Sequence, residues 1–398
     1  CSPADMTFPL QLEINGGWLT ANNTTLGADN GVGIALALTV LADNSIKHPP
    51  LEVLFTVEEE TGLDGAKNLR EDFIRYRKLI NLDSEEEGVI TVGCAGGGRS
   101  YINMPLEREQ PNSGMTSLVI SVNGLLGGHS GLEVDSRANP NKLMGEFLER
   151  ASNVAPELRL VSIKSGEQDN VIPSESSAWI YIENENVEKL NNIKNELLNK
   201  WKDEFSDKEP HINIDIYKTE ENYNPINKNI TNNIIDMLNE LPYGVIAWSK
   251  ELEDTIETSV NISPVKTYEN SLQIVMMSRS ASIESLNSLQ ERIKEIATSF
   301  GASCENPAED RYPPWEPNFD SKLLALAEDV YNSLYGEMPE IEVTHGGLET
   351  AVIGDIYKGM DMISVGPTIE NAHSPEERLN IQSVEKFYNY LLELLEAL

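Results

Sequence analysis

The sequence of this 398-residue chain predicts an α/β domain, with a mostly parallel sheet and helices on both faces, that is interrupted by an inserted α+β domain. Three observations predict this order. Helices alternate with continuous apolar strands near the start, strands of alternating polarity fill the middle, and an apolar strand with an amphipathic helix closes the chain. Glycine- and proline-rich stretches near 97–115 and 303–318 mark the boundaries. The α/β domain is therefore predicted over 1–102 and 305–398, and the inserted domain over 103–304.

The first α/β segment is predicted to contain one helix and two buried strands. The stretch 29–44 is predicted as a helix because Asp29 or Asn30 can cap its start. Ile34, Leu38 and Leu41 lie on one apolar stripe of this helix. The strands, which are continuous apolar runs, are 51–57 (LEVLFTV) and 78–82 (KLINL).

The middle of the chain alternates apolar and polar residues, a pattern typical of strands with one solvated face. The predicted strands are 116–125, 159–165, 177–184, 211–219 and a pair around 257–279. The predicted helices between them are 139–152, 186–205, 228–240 and 284–300. The chain then closes with a strand over 361–367 and a helix whose repeating apolar residues are Val384, Phe387, Tyr388, Leu391 and Leu395.

Charge and cysteine content exclude several classes of partner and location. Thirty basic against sixty-five acidic residues give a net charge of −35, which argues against nucleic acid and against an anionic membrane surface. The three cysteines have no metal-type spacing, so a reducing, cytoplasmic environment is predicted. No apolar run has the length of a membrane span. Cys1 is either a lipid-modified residue behind a removed signal peptide or the start of a piece cut from a longer chain.

Five acidic or histidine residues are predicted to lie at the same edge of the sheet in the α/β domain: Asp29, Glu59, Glu60, Asp83 and His373. Each precedes a helix or follows a strand, and ligands of open α/β sheets gather at the carboxyl ends of strands. Carboxylates and imidazole together are ligands for a divalent metal, whose charge would also make consecutive glutamates tolerable. For each residue alone, an exposed cap or a solvated strand end is the better explanation. The set as a whole predicts a metal site.

Six motifs, in this order along the chain, resemble one family: TTLGADNGVGIALAL, TVEEETGLDGA, LINLDSEEEGVITVGCAGG, GLLGGHSG, HGGLE and NAHSPEERL. From about residue 8 to its end the chain resembles the dinuclear-zinc metallopeptidase clan of the aminoacylase and carboxypeptidase type. The motifs are most similar to those of its aminoacyl-histidine (Xaa-His) dipeptidase branch. The resemblance implies that the α/β domain is catalytic and that the inserted domain is a lid that also forms a homodimer.

The resemblance implies a role for each residue of the metal site. Asp29 would bridge two zinc ions, and its peptide bond to Asn30 is expected to be cis. Glu60 and His373 would complete one zinc site, and Asp83 would belong to the other. Two zinc ions are expected per full-length subunit, with Co²⁺ or Mn²⁺ as substitutes.

The resemblance implies different roles for the neighbouring glutamates. Glu59 would be the general base, taking a proton from the attacking water and passing it to the leaving amine. Glu58 is expected to point to solvent.

The resemblance also implies four substrate-binding residues: His129, Arg279, His345 and Glu349. His129 would help to stabilise the oxyanion in a neighbouring subunit's active site, although a lone loop histidine is more commonly structural. Arg279 would bind the free carboxylate of the substrate through its planar guanidinium. A strand-end arginine paired with a local carboxylate is an equal alternative. His345 and Glu349 are expected in the substrate pocket, on a glycine-bearing loop, whereas His48 and His211 are expected to be structural or exposed.

Two departures from the family pattern change the expectation for this chain. The stretch after GGHSG is shorter and has Glu133 where an aspartate is expected, so the lid near the substrate is predicted to differ. The family's first zinc ligand lies in a His-x-Asp motif upstream of the bridging aspartate, and no histidine precedes His48 here. We therefore expect a fragment that binds about one zinc tightly, at the site with three protein ligands, and has little or no peptidase activity.

The sequence as a whole predicts zinc-dependent hydrolysis of unblocked dipeptides of the Xaa-His type. The alternatives are another amidohydrolase of the clan, such as an aminoacylase or a carboxypeptidase, or a non-catalytic homologue that only binds cations. The presence of both Glu59 and Glu60 argues against the non-catalytic alternative.

Overall fold

A computed structural model of the chain describes residues 10–398. The chain forms two compact units. The discontinuous unit comprises the described residues up to Cys94 together with Pro313–Leu398, and the inserted unit comprises Ala95–Tyr312. The predicted α/β domain with an inserted α+β domain is confirmed. Residue 102, one of the predicted boundaries, lies within a strand of the inserted unit. Both interpretations of Cys1 concern a residue outside the described range.

The helices and strands follow one another in three segments. The first segment contains β1 (Leu12–Asn15), β2 (Trp18–Ala21), α1 (Ala28–Ala42), α2 (Glu59–Gly62), α3 (Asp64–Lys67), β3 (Lys78–Asn81) and β4 (Val89–Cys94). The inserted unit contains β5 (Gly96–Pro105), β6 (Met115–Asn123), β7 (Gly128–His129), α4 (Pro140–Val154), β8 (Arg159–Ser165), β9 (Val171–Ile172), β10 (Ser176–Glu183), α5 (Val187–Phe205), β11 (Asn213–Lys218), α6 (Lys228–Glu240), β12 (Gly244–Trp248), β13 (Ile256–Thr267), β14 (Ser271–Ser280), α7 (Ile283–Ser299) and β15 (Ser303–Glu305). The last segment contains α8 (Lys322–Tyr335), β16 (Glu340–Thr344), α9 (Glu349–Ile356), β17 (Asp361–Ser364), β18 (Ile369–Glu370), β19 (Arg378–Asn380) and α10 (Ile381–Ala397).

The discontinuous unit has two four-stranded sheets. One sheet has the order β16-β4-β17-β3, and two of its three pairings are parallel. The other, with the order β1-β2-β19-β18, is antiparallel and joins the two ends of the described chain. β4 is buried along its whole length, as expected for an inner strand covered on both faces.

One strand predicted for the discontinuous unit is wrong. Residues 51–57 form no strand: no described strand pairs with them, and Phe55 is 47% exposed. Helix α1 forms where predicted, but the stripe of Ile34, Leu38 and Leu41 lies on its exposed face. The helix instead buries Leu36 and Val40.

The inserted unit is built on one antiparallel sheet with the order β11-β6-β10-β8-β13-β14-β5-β15, to which β12 adds at β13. The predicted strands and helices of this unit are confirmed to within a few residues at each end. Alternate residues of the strands join Phe147, Trp201, Ile234 and Leu289 of the helices in one core cluster. Each of these side chains is at most 5% exposed.

The remaining expectations concern single residues and membrane spans. His48 and His211 are exposed, as expected. Cys94 and Cys304 are buried and not disulfide-bonded. Within residues 10–398 no helix is both long and apolar enough to cross a membrane.

Candidate active site

The start of helix α1 places Asp29. Asp29 and Asn30 lie within the helical segment but have non-helical backbone angles, and the peptide bond between them is cis, as expected. The Asn30 side chain accepts a hydrogen bond from the Gly33 N–H at 3.0 Å, inside the first turns of the helix. The Asp29 carboxylate is thereby left outside the helical hydrogen bonding.

The three consecutive glutamates diverge because the chain turns sharply between them. Glu58 has a left-handed backbone (φ 55°) and is exposed, which confirms that it points to solvent. Glu59 and Glu60 then open the short helix α2. Glu59 is less exposed than Glu60.

His373 lies in the loop between β18 and β19, also with a left-handed backbone (φ 62°). Its Nε2 lies 2.8 Å from Oδ2 of Asp29 and 2.9 Å from Oε2 of Glu60. One ligand atom from each of these three residues lies within 4.8 Å of the other two. The structure thus brings together three of the four predicted metal ligands.

Asp83 follows β3 and belongs to the same acidic region, although it is not one of the three clustered ligands. Burial, followed by the charge of Asp29, raises the pKa of Asp83 to about 7. Burial, followed by the charge of Glu60, also raises the pKa of Glu59 to about 7. These carboxyl groups therefore resist ionisation at neutral pH, because each would add a negative charge to a partly buried acidic site.

The donor set at the cluster fits a divalent cation. Two carboxylates and one imidazole nitrogen are ligands that zinc and similar metals accept, and three protein ligands leave a position open. Burial alone would lower the pKa of His373, but the charges of Glu60 and Asp29 raise it. In the metal-free protein a proton on His373 therefore offsets the carboxylate charge that a bound cation would offset instead.

The two predicted pocket residues of the discontinuous unit are both buried. His345 is 8% exposed and follows β16 on the expected loop, whereas Glu349 is the first residue of helix α9 rather than part of that loop. The Glu349 Oε2 atom accepts a hydrogen bond from the Thr56 hydroxyl at 2.8 Å. Its Oε1 atom is buried and has no hydrogen-bond partner among the described residues, so it can accept a further donor.

In the inserted unit, a tight turn fixes the ring of His129. The Nδ1 atom accepts hydrogen bonds from the N–H groups of Gly131 at 3.3 Å and Leu132 at 3.2 Å. Because Nδ1 is an acceptor, the proton of the neutral ring lies on Nε2. Burial and the charge of Arg279 lower the pKa of His129, which favours this neutral form.

The residue that departs from the family pattern supports this turn. Glu133 accepts a hydrogen bond from the His129 N–H at 2.8 Å and forms an ion pair with Arg137 at 2.6 Å. Arg137 in turn donates to the carbonyl of Gly127 at 2.8 Å. The longer side chain of glutamate thus closes the turn on itself.

Arg279 lies on strand β14 and is 6% exposed. It donates to the Tyr312 hydroxyl at 3.0 Å, and its Nε has no partner in the described chain. Over the same range, no carboxylate lies within ion-pair distance of Arg279 (4.0 Å). The alternative of a local ion pair therefore has no support in the geometry.

The family model for peptidase family M20/M25/M40 matches residues 2–397. The chain belongs to this peptidase family. The cytosol non-specific dipeptidase of Escherichia coli (strain K12) is 36% identical over 393 residues, which cover 98% of this chain and 80% of that protein. The crystal structure of aminoacylhistidine dipeptidase from Vibrio alginolyticus has a TM-score of 0.91 at 36% identity, and the match covers 98% of this chain and 79% of that one.

More distant structures agree on the fold of this M20 peptidase. A tripeptidase from Staphylococcus aureus has a TM-score of 0.55 at 15% identity, with 97% of this chain and 76% of that chain covered. The resemblance seen in the motifs is therefore confirmed at the level of the family, whose members hydrolyse peptide bonds.

Sequence reasoning missed the residues that hold the site residues in place. They include Thr56 beside Glu349, Tyr312 beside Arg279, and Glu377, whose contacts with the start of α1 are described below. Thr56 and Glu377 lie in two of the quoted motifs. Nothing in the local pattern, however, separates Glu377 from its neighbour Glu376.

Proposed function

We propose that this M20 peptidase is a metal-dependent dipeptidase that hydrolyses unblocked dipeptides of the Xaa-His type. The observation that carries the proposal is the cluster of Asp29, Glu60 and His373. Glu59 precedes Glu60 on the short helix α2. The three clustered residues would hold a zinc ion, for which Co²⁺ or Mn²⁺ could substitute. Asp83 with Asp29 would contribute ligands to a second ion.

A bound divalent cation supplies Lewis acidity, which lowers the pKa of water and polarises a carbonyl group. Glu59 would act as the general base that removes a proton from the attacking water and delivers it to the leaving amine. The pKa of Glu59, raised to about 7, is close to the value at which a group both accepts and releases protons at neutral pH.

The inserted unit supplies two further proposed roles. The Nε2–H of neutral His129 is a donor suited to a developing oxyanion, and the turn that donates to Nδ1 fixes this tautomer. Arg279 has a buried guanidinium without a carboxylate partner in the described chain, which suits recognition of the free carboxylate of a dipeptide. We further propose that the active form is a homodimer formed through the inserted unit, and that it is cytoplasmic like the Escherichia coli relative.

A substrate panel tests the dipeptidase proposal. The zinc-loaded chain is assayed with Ala-His, β-Ala-His, Ala-Ala and an N-acetyl amino acid. The relative rates on the four substrates are compared. We expect the unblocked dipeptides to turn over, and Xaa-His peptides fastest. Turnover of only the acylated substrate would favour an aminoacylase instead.

Replacing the base separates catalysis from metal binding. Glu59→Gln keeps the shape of the side chain but cannot accept a proton, so turnover should fall by about 10²- to 10⁴-fold. Zinc content should stay unchanged, since Glu59 is not among the clustered ligands. His373→Ala should instead lose zinc. Unchanged turnover in Glu59→Gln would remove Glu59 from the mechanism.

A further inference from the structure

A second buried carboxylate lies next to the cluster without being part of it. Glu377, just before β19, is 2% exposed. Its Oε2 accepts hydrogen bonds from the N–H groups of Leu26 at 2.7 Å and Gly27 at 2.9 Å. Its Oε1 accepts from those of Ala28 at 2.7 Å and Asp29 at 3.2 Å. One side chain thus satisfies four consecutive backbone donors.

These contacts explain how helix α1 begins without a cap of its own. The first N–H groups of a helix have no partner within it, and the positive end of the helix dipole lies there. The residue at the N-cap position is Gly27, which has no side chain. Glu377 supplies the missing acceptors and the negative charge from a position 348 to 351 residues away in sequence.

The backbone of Glu377 belongs to the turn that follows His373. The Glu377 N–H donates to the carbonyl of Ser374 at 3.1 Å, and the Ser374 hydroxyl donates to the carbonyl of Asn371 at 2.8 Å. Asn371 and His373 both have left-handed backbones, with φ 55° and 62°. Residues other than glycine adopt this conformation at a cost and keep it when the surroundings determine it.

Glu377 therefore joins the two segments that carry two of the clustered ligands. On one side it holds the backbone N–H of Asp29, and on the other it closes the turn that follows His373. We propose that Glu377 is a positioning residue that sets the distance between Asp29 and His373 and so tunes the affinity of the cluster for a divalent cation. This inference rests on the metal site of the proposed function.

The chemistry of Glu377 excludes a direct role as ligand. An ionised carboxylate has about four acceptor sites, and four N–H groups occupy them here. Residues behind the ligands of a metal commonly change its affinity by about 10- to 100-fold when they are replaced.

The test compares Glu377→Gln with Glu376→Gln in the full chain. Both variants change one glutamate of the same loop to its amide, but Glu376 is exposed. The amide introduced by Glu377→Gln would present an NH₂ group to N–H donors and lose about half of the acceptors. Zn²⁺ and Co²⁺ dissociation constants are measured by chelator competition, and the stability of each metal-free protein is measured by thermal unfolding.

We expect Glu377→Gln to bind Zn²⁺ and Co²⁺ about 10- to 100-fold more weakly and Glu376→Gln to bind them as the parent does. A Glu377→Gln protein that loses thermal stability but keeps parental metal affinity would show a purely structural cap and overturn the inference. The His373→Ala variant distinguishes the two proposals. If it binds metal as the parent does, the metal site itself is wrong, and the inference is wrong with it.

A second variant covers the case in which Glu377→Gln does not fold. Glu377→Asp keeps the charge and both oxygens on an arm one methylene shorter, so it can still cap α1 but must pull the two segments closer. We expect it to fold and to bind Co²⁺ more weakly than the parent, with a changed visible spectrum. Parental affinity and spectrum in this variant would overturn the inference.

Discussion

The substitution Asp83→Asn tests whether the acidic site destabilises the metal-free protein. Burial, then the charges of Asp29 and Glu59, raise the pKa of Asp83 from 3.8 to about 7. Between these two values the native state holds a proton that the unfolded state has released. The contribution of Asp83 to the stability of the metal-free protein should therefore be most favourable at low pH and become less favourable as the pH rises through this window.

The size of the effect follows from the shift. A rise from 3.8 to about 7 is about three pKa units, and one unit corresponds to about 1.4 kcal/mol. The raised pKa of Asp83 thus destabilises the metal-free native state by about 4 kcal/mol at pH 8, and by about 1–2 kcal/mol at pH 5. Asparagine has a similar shape and no charge. The free energy of unfolding of Asp83→Asn should exceed that of the parent by a margin that grows by about 2–3 kcal/mol between pH 5 and pH 8.

Hydrogen exchange of the β4 amides measures this difference in the free energy of unfolding between Asp83→Asn and the parent. Strand β4 is buried in the same unit as Asp83, so exchange of its amides reports the opening of that unit. The proteins are treated with a chelator and compared from pH 5 to pH 8. Asp320→Asn, at an exposed position of the same unit, is the matched control. A margin that is independent of pH, or that shrinks toward pH 8, would refute the reasoning. Zinc should reduce or reverse the advantage of Asp83→Asn, since the cation stabilises the carboxylate.

Three further predictions concern the inserted unit. Arg279→Lys keeps the charge but loses the planar guanidinium, so the KM for dipeptides should rise about tenfold or more with a smaller change in kcat; an unchanged KM would contradict carboxylate recognition. His129→Ala and Glu59→Ala chains, each inactive alone, should recover part of their activity after mixing under subunit exchange, and no recovery would argue for a role of His129 within its own subunit. Phe147→Ala, at a site with 0% exposure, should lower the free energy of unfolding by about 3–5 kcal/mol, measured by urea unfolding; a loss below about 1 kcal/mol would contradict the packing of this core.

The inserted unit was predictable because its sequence pattern has a local cause. A strand with one buried face alternates apolar and polar residues, and a helix over that face repeats them every three to four residues. The stretches 159–165 and 228–240, for example, are found as β8 (Arg159–Ser165) and α6 (Lys228–Glu240).

The discontinuous unit shows where such patterns stop being informative. The run 51–57 is apolar enough for a buried strand, but a strand also needs a neighbour, and the local sequence does not identify one. Helix α1 carries two apolar stripes, one through Leu36 and Val40 and one through Ile34, Leu38 and Leu41. Helical spacing predicts both stripes, and only the tertiary structure selects the one that is buried.

The acidic residues near Asp29 differ in how their acceptor atoms are used, and this difference separates their roles. Glu377 uses both oxygens on four backbone N–H groups, so it has no lone pair left for a cation. Glu349 uses one oxygen on a threonine hydroxyl and keeps the other without a partner in the described chain, which suits a residue that receives a donor from a substrate. Asp29 and Glu60 share the single Nε2 of His373, so most of their acceptor sites are open to a metal ion. A sequence shows only that a residue is acidic. The donors around it are what support the proposed role of cap, pocket residue or ligand, and several of those donors lie more than 300 residues away in sequence.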